Sequence, residues 1–194
     1  GFLVCLCLGF AMSVYLVSQL TNMFRRLTLL APVGFGTEIN LSAVEPFTKE
    51  LSESEIKISL SRLFYDLKWV SEDLIDATKK NFGSSSRRVQ ARDLLKSIFT
   101  SGSQEWDGHS LLCKLNQPVR ILWGEEDMIL TIRYLNGLPG WVAQHRLSKV
   151  GHVPQIEAAP LLLRILQADP PYRFPCSFKG SHAEKICHWG RWWN

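Results

Sequence analysis

The chain has 194 residues, of which 46% are hydrophobic and 21% charged, enough for one domain with a sizeable core. Its net charge of +4 comes from 22 basic and 18 acidic residues spread along the chain. No basic face is interleaved with aromatics, so composition argues against a nucleic-acid partner.

The chain opens with "GFLVCLCLGFAMSVYLVSQLTN", some two dozen residues without a charge. A membrane helix wants roughly 20 apolar residues. Ser13, Ser18 and Gln19 interrupt this window, and no basic region precedes it as in a signal peptide. Within residues 1–24 the membrane reading competes with a buried strand, "FLVCL" (2–6), followed by Gly9 and a buried helix. Five cysteines (Cys5, Cys7, Cys113, Cys176, Cys187) form no evident disulfide framework, which fits a reducing, cytoplasmic compartment.

"RLTLLAP" (26–32) is a second short apolar run, stopped by Pro32 and the turn "GFG" (34–36). Short apolar runs bounded by Gly and Pro read as buried parallel strands. Residues 41–105 change character and read as several amphipathic helices with no strand among them. "SEIKISLSRLFYDL" puts Ile56, Leu60, Leu63, Phe64 and Leu67 on one helical face. "SEDLIDATKKNF" starts with Ser71 as N-cap and acidic residues in its first turn. "GSSSRRVQARDLLKSIF" starts in a polar turn and carries Val89, Leu94, Leu95 and Ile98.

The sheet pattern returns at "PVRILWGEEDMI" (118–129), with a strand over 119–123 ended by Gly124 and an acidic loop. "QHRLSKVGHVPQIEAAPLLLRILQ" (144–167) reads as a strand, a Gly-His loop and a closing helix. Strands alternating with helices predict an α/β protein with a mostly parallel sheet. The segment 169–194 holds three prolines, three tryptophans and no periodicity, and reads as an atypical, disordered tail. Its Cys176, His182, Cys187 and His188 match no zinc spacing with paired close ligands.

Three loops after three expected strands carry Cys7, Asp127 and His152. Loops at the carboxyl ends of parallel strands converge on one site. A nucleophile needs a base to take its proton, and the base needs an acid to fix its tautomer. The order nucleophile, acid, histidine is that of α/β-hydrolases. The stretches "LTLLAPVGFGTEIN", "ILWGEEDMI" and "LSKVGHVPQIEA" resemble the C-terminal part of the α/β-hydrolase superfamily. They are most similar to the hydrolase-like domain of some bacterial acetoin dehydrogenase E2 proteins of the dihydrolipoyllysine acetyltransferase type.

The resemblance implies a partial α/β-hydrolase fold: a core at 1–40 and 106–168 and a helical cap at 41–105. It implies Asp127 as triad acid and His152 as triad histidine. The family's G-x-S-x-G elbow falls on "CLCLG", so that Cys5 replaces the first glycine, Cys7 the serine, and Gly9 keeps the second glycine. A thiol at a helix N-terminus beside a histidine ionises more readily, so cysteine is a reasonable nucleophile there; the bland reading is an inert buried thiol. The Leu8 backbone N–H would give one oxyanion donor. The family's second donor comes from strands that would precede Gly1, so the resemblance implies a fragment inactive alone. The implied activity is ester or thioester hydrolysis, or acyl transfer, on a small-molecule acyl substrate, without metal or organic cofactor. The alternatives are a degenerate hydrolase fold used as a binding module, and an acetyltransferase-type component of an acetoin dehydrogenase complex.

Overall fold

We describe a computed structural model of the chain that covers residues 1–20, 22–100, 103–104 and 107–168. The first apolar run is strand β1 (Phe2–Leu6), which turns within two residues into helix α1 (Gly9–Gln19). β2 (Arg26–Leu30) follows, then four helices: α2 (Leu41–Val44), α3 (Glu53–Ser61), α4 (Glu72–Phe82) and α5 (Ser85–Ile98). A minimal antiparallel pair, β3 (Phe99–Thr100) and β4 (Ser103–Gln104), and the short α6 (Gly108–Leu112) lead into β5 (Val119–Gly124). β6 (Ala143–Leu147), α7 (Pro154–Glu157) and α8 (Ala159–Gln167) close the described chain.

The main sheet has the order β1-β2-β5-β6 and every pairing in it is parallel. Burial follows position. All six residues of β5 are buried, because neighbouring strands flank it and side chains pack on both faces. β6, at one edge, alternates more exposed and more buried positions. β1, at the other edge, leaves Phe2 and Val4 exposed while Leu3 and Cys5 pack against the core. That core contains Phe10 and Val17 of α1, Leu27 and Leu29 of β2, and Ile121 and Trp123 of β5. On the opposite face Leu30, Leu122 and Leu147 meet Leu162 of α8.

The opening segment is therefore strand and helix. α1 buries Phe10, Val14 and Val17 against the sheet. Among the described residues no helix is long and apolar enough to cross a membrane.

Helices α3 and α4 carry a small core of their own, Ile56, Leu60 and Ile75. α3 starts with the capping box of Ser52 and Glu55, and Ser71 caps α4 by accepting from the Leu74 N–H at 3.2 Å. Two expectations for this stretch need correction. β3 and β4 are strands where none is expected, with an aromatic and a β-branched residue in β3. The helical face over 54–67 stops at Ser61, and Leu67 is 63% exposed. Residues 62–66 leave the helix because their backbone bonds to another loop, described below. A third correction concerns sulfur: Cys5 and Cys7 are free thiols, but Cys113 is disulfide-bonded. The segment 169–194, with Cys176, His182, Cys187 and His188, lies outside the described residues.

Candidate active site

Because the sheet is parallel, the loops after β1, β5 and β6 emerge at one end of it. Cys7 stands in the first. Its φ of 49° lies in the left-handed region, where residues other than Gly, Asn and Asp are rare. A strained residue between a strand and a helix is the geometry of a nucleophile elbow. The strain is held from several sides: the Cys7 N–H donates to Leu30 O at 3.0 Å, and Cys7 O accepts from the Phe10 N–H at 3.2 Å. At Gly9 an added Cβ would lie 3.2 Å from the Cβ of Cys5, a tight contact that glycine avoids. Cys5, at the first glycine's place, is accommodated by contact with Ser13, 3.1 Å from sulfur to hydroxyl. Burial pushes the Cys5 thiol up to about 11, and the Ser13 contact opposes this in part. Cys5 is thus a protonated bystander at neutral pH.

Asp127 stands in the loop after β5 with its side chain fully buried. Its Oδ1 accepts from the Ile129 N–H at 2.8 Å and the Leu130 N–H at 3.0 Å. Its Oδ2 accepts from Trp123 Nε1–H at 3.0 Å. The same Oδ2 lies 2.8 Å from His152 Nδ1. A carboxylate only accepts, so Nδ1 carries the proton and Nε2 faces away from Asp127.

His152 is 5% exposed. Burial alone would lower its proton affinity. The hydrogen bond to Asp127 opposes that, as do the hydrogen bond and charge of Cys7, and the ring is raised from 6.5 to about 10. Cys7 and Asp127 therefore both act on this ring. The Leu8 N–H, at the N-cap of α1, has no intramolecular acceptor among the described residues. The structure thus brings Cys7, Leu8, Asp127 and His152 to one end of the sheet, from loops far apart in sequence.

Close backbone packing locks the loops together. A Cβ on Gly124 would lie 2.1 Å from Val150 O, so the strand end before Asp127 must be glycine. Glu126 takes the Val150 N–H at 3.0 Å on its carboxylate. Sequence reading missed two contributors. Trp123, buried at 0% exposure, fixes Asp127, and its position four residues upstream of the acid is the only signal. Glu157, five residues after His152, ties that loop to residues 63–66.

A four-stranded parallel sheet with helices on both faces, a strained strand-to-helix elbow and an acid–histidine pair on later loops defines the α/β-hydrolase fold. No family model matches the sequence. Among solved structures, a meta-cleavage product hydrolase from Pseudomonas fluorescens IP01 superposes with a TM-score of 0.66 at 18% identity, over 86% of this chain and 62% of that one. The 2-hydroxy-6-oxo-6-phenylhexa-2,4-dienoate hydrolase from Rhodococcus sp. strain RHA1 gives 0.66 at 18% identity, over 87% of this chain and 64% of that one. At such identities the likeness establishes the fold.

Two curated relatives carry the resemblance further in sequence. The dihydrolipoyllysine-residue acetyltransferase component of the acetoin cleaving system of Cupriavidus necator is 26% identical over 131 residues, 68% of this chain and 35% of that protein. A 2-hydroxy-6-oxononadienedioate/2-hydroxy-6-oxononatrienedioate hydrolase of Cupriavidus pinatubonensis is 26% identical over 122 residues, 61% of this chain and 41% of that protein. The chain spans less than half the length of these two relatives.

Proposed function

We propose that this chain carries the nucleophile, base and acid of an acyl hydrolase or acyltransferase. The observation that supports the reading best is the buried Asp127–His152 hydrogen bond with Cys7, in a left-handed elbow, acting on the same ring. The Cys7 sulfur attacks the carbonyl carbon of an ester or thioester, and the thiol proton passes to His152. The Leu8 N–H donates to the oxygen that gains charge. The carbonyl re-forms as the leaving group departs, taking the proton from His152 and leaving an acyl group on Cys7. Water then attacks that thioester with His152 as base, releasing acid and free thiol. Asp127 holds His152 in one tautomer through the bond to Nδ1.

The stretch 41–105 serves as a cap over the site, and the joining of its residues 63–66 to the histidine loop supports this. The substrate is a small acyl compound. Two hydrolases and one acetyltransferase component among the relatives and neighbours support hydrolysis or acyl transfer as the two outcomes.

The test is incubation with p-nitrophenyl acetate. A burst of nitrophenolate matching the enzyme concentration, absent in Cys7→Ala, supports the reading. Equal release by Cys7→Ala would favour the alternative, a hydrolase fold used as a binding module.

A further inference from the structure

The histidine loop is clamped to the helical stretch by a single carboxylate. Glu157, the last residue of α7, accepts three backbone N–H groups. Its Oε2 takes Gly151 at 2.6 Å, and its Oε1 takes Tyr65 at 2.8 Å and Asp66 at 3.0 Å. The return contact runs the other way: the His152 N–H donates to Leu63 O at 2.9 Å. The two backbones touch directly. A Cβ on Gly151 would lie 2.6 Å from Leu63 O and 2.9 Å from Tyr65 N. Leu63 packs against both the main core and the small core of α3 and α4, so residues 63–66 are the mechanical joint between the two.

Bonds of N–H to a carboxylate are about twice as strong as neutral ones, and these three converge on one side chain from two separate loops. Glu157 neither faces Asp127 nor bonds the imidazole. It instead fixes the backbone on which His152 is mounted, while Glu126 fixes the preceding Val150 N–H from the acid loop.

We propose that Glu157 is a positioning residue for His152, joining the histidine loop to residues 63–66 so that the ring is held against Cys7 and Asp127. This rests on the nucleophile–histidine–acid reading above.

Glu157→Gln tests it. The amide keeps one acceptor and presents N–H donors in place of the other, so it cannot take all three backbone groups. The readouts are the His152 titration, followed by NMR of the imidazole, and the rate of Cys7 alkylation by iodoacetamide at pH 6.5. Glu157→Gln is expected to move the His152 midpoint about one pH unit or more toward the ordinary imidazole value and to slow alkylation about tenfold. Leu27→Ala, which cuts the main core near the amino ends of the strands, away from the loops that carry the site, is the control: it lowers stability but leaves both readouts where they were. Glu157→Asp keeps the carboxylate one methylene back, and is expected to fall between wild type and Glu157→Gln; it carries the test if Glu157→Gln does not fold.

Unchanged readouts in Glu157→Gln, or in Glu157→Asp where that variant stands in, would overturn the proposal. So would an equal change in Leu27→Ala. His152→Ala separates the two levels of the inference. If it leaves Cys7 alkylation unaltered, the catalytic reading fails. If it slows alkylation while Glu157→Gln does not, only the positioning role fails.

Discussion

Asp127→Asn is the most informative single substitution in the site. The carboxylate accepts four hydrogen bonds with no exposure to water, two at each oxygen. Asparagine offers one acceptor and one donor group. Whichever way the amide turns, its NH2 faces two N–H donors: Ile129 and Leu130 in one orientation, Trp123 and His152 in the other. Each buried donor left without an acceptor costs about 1–3 kcal/mol. Trp123 keeps Leu130 O at 3.3 Å as a second acceptor, so the amide settles with its NH2 toward Trp123 and His152. The expected loss is roughly 2–4 kcal/mol, and the imidazole loses the strongest of the interactions that raise its proton affinity. Denaturant unfolding at pH 7 reads the first quantity, and NMR titration of His152 reads the second. A loss below about 1 kcal/mol, with the His152 midpoint unmoved, would refute the claim that this carboxylate organises the site.

Stability should fall toward alkaline pH. His152 is raised from 6.5 to about 10 in the folded protein, so its contribution is complete below the ordinary imidazole value and is lost as pH rises through about 10. Cys5, raised to about 11, adds to the decline above pH 9, because the unfolded thiol ionises more easily than the buried one. Melting temperatures taken across pH 6–11 check this, and a flat profile would contradict it. Cys7→Ala removes a hydrogen bond and a charge that favour protonated His152, so the imidazole midpoint should fall, as NMR will show. Gly124→Ala drives a Cβ to 2.1 Å from Val150 O and should destabilise by more than about 2 kcal/mol while separating the acid and histidine loops. Unfolding by denaturant measures it.

Much of this fold can be read from hydrophobic patterning. β2 and β5 are short apolar runs because side chains pack on both faces of the sheet, and that pattern survives in the sequence; β1 is as apolar, though Phe2 and Val4 lie exposed at the edge. Ser71 declares the start of α4 because an N-cap is a local device. Where tertiary contacts win, local reading stops. The periodicity of 54–67 continues past Ser61, but Glu157, about ninety residues away, takes the backbone N–H groups of Tyr65 and Asp66 and the helix ends. β3 and β4 are two residues each, too short to leave a period. That Cys7, Asp127 and His152 stand in loops after strands was legible from the strand patterns before them. Trp123 and Glu157 were not, because a buried tryptophan looks like core and a glutamate in a short helix looks like surface.

The central claim is that Cys7 and His152 act as a pair. The most direct measurement is the rate of Cys7 alkylation by iodoacetamide between pH 5.5 and 9, located by peptide mapping, in wild type and His152→Ala. In wild type, Cys7 should react readily at pH 6.5, and His152→Ala should slow it about tenfold or more there while the two converge near pH 9. Identical curves for the two proteins, or label on Cys5 in preference to Cys7, would contradict it.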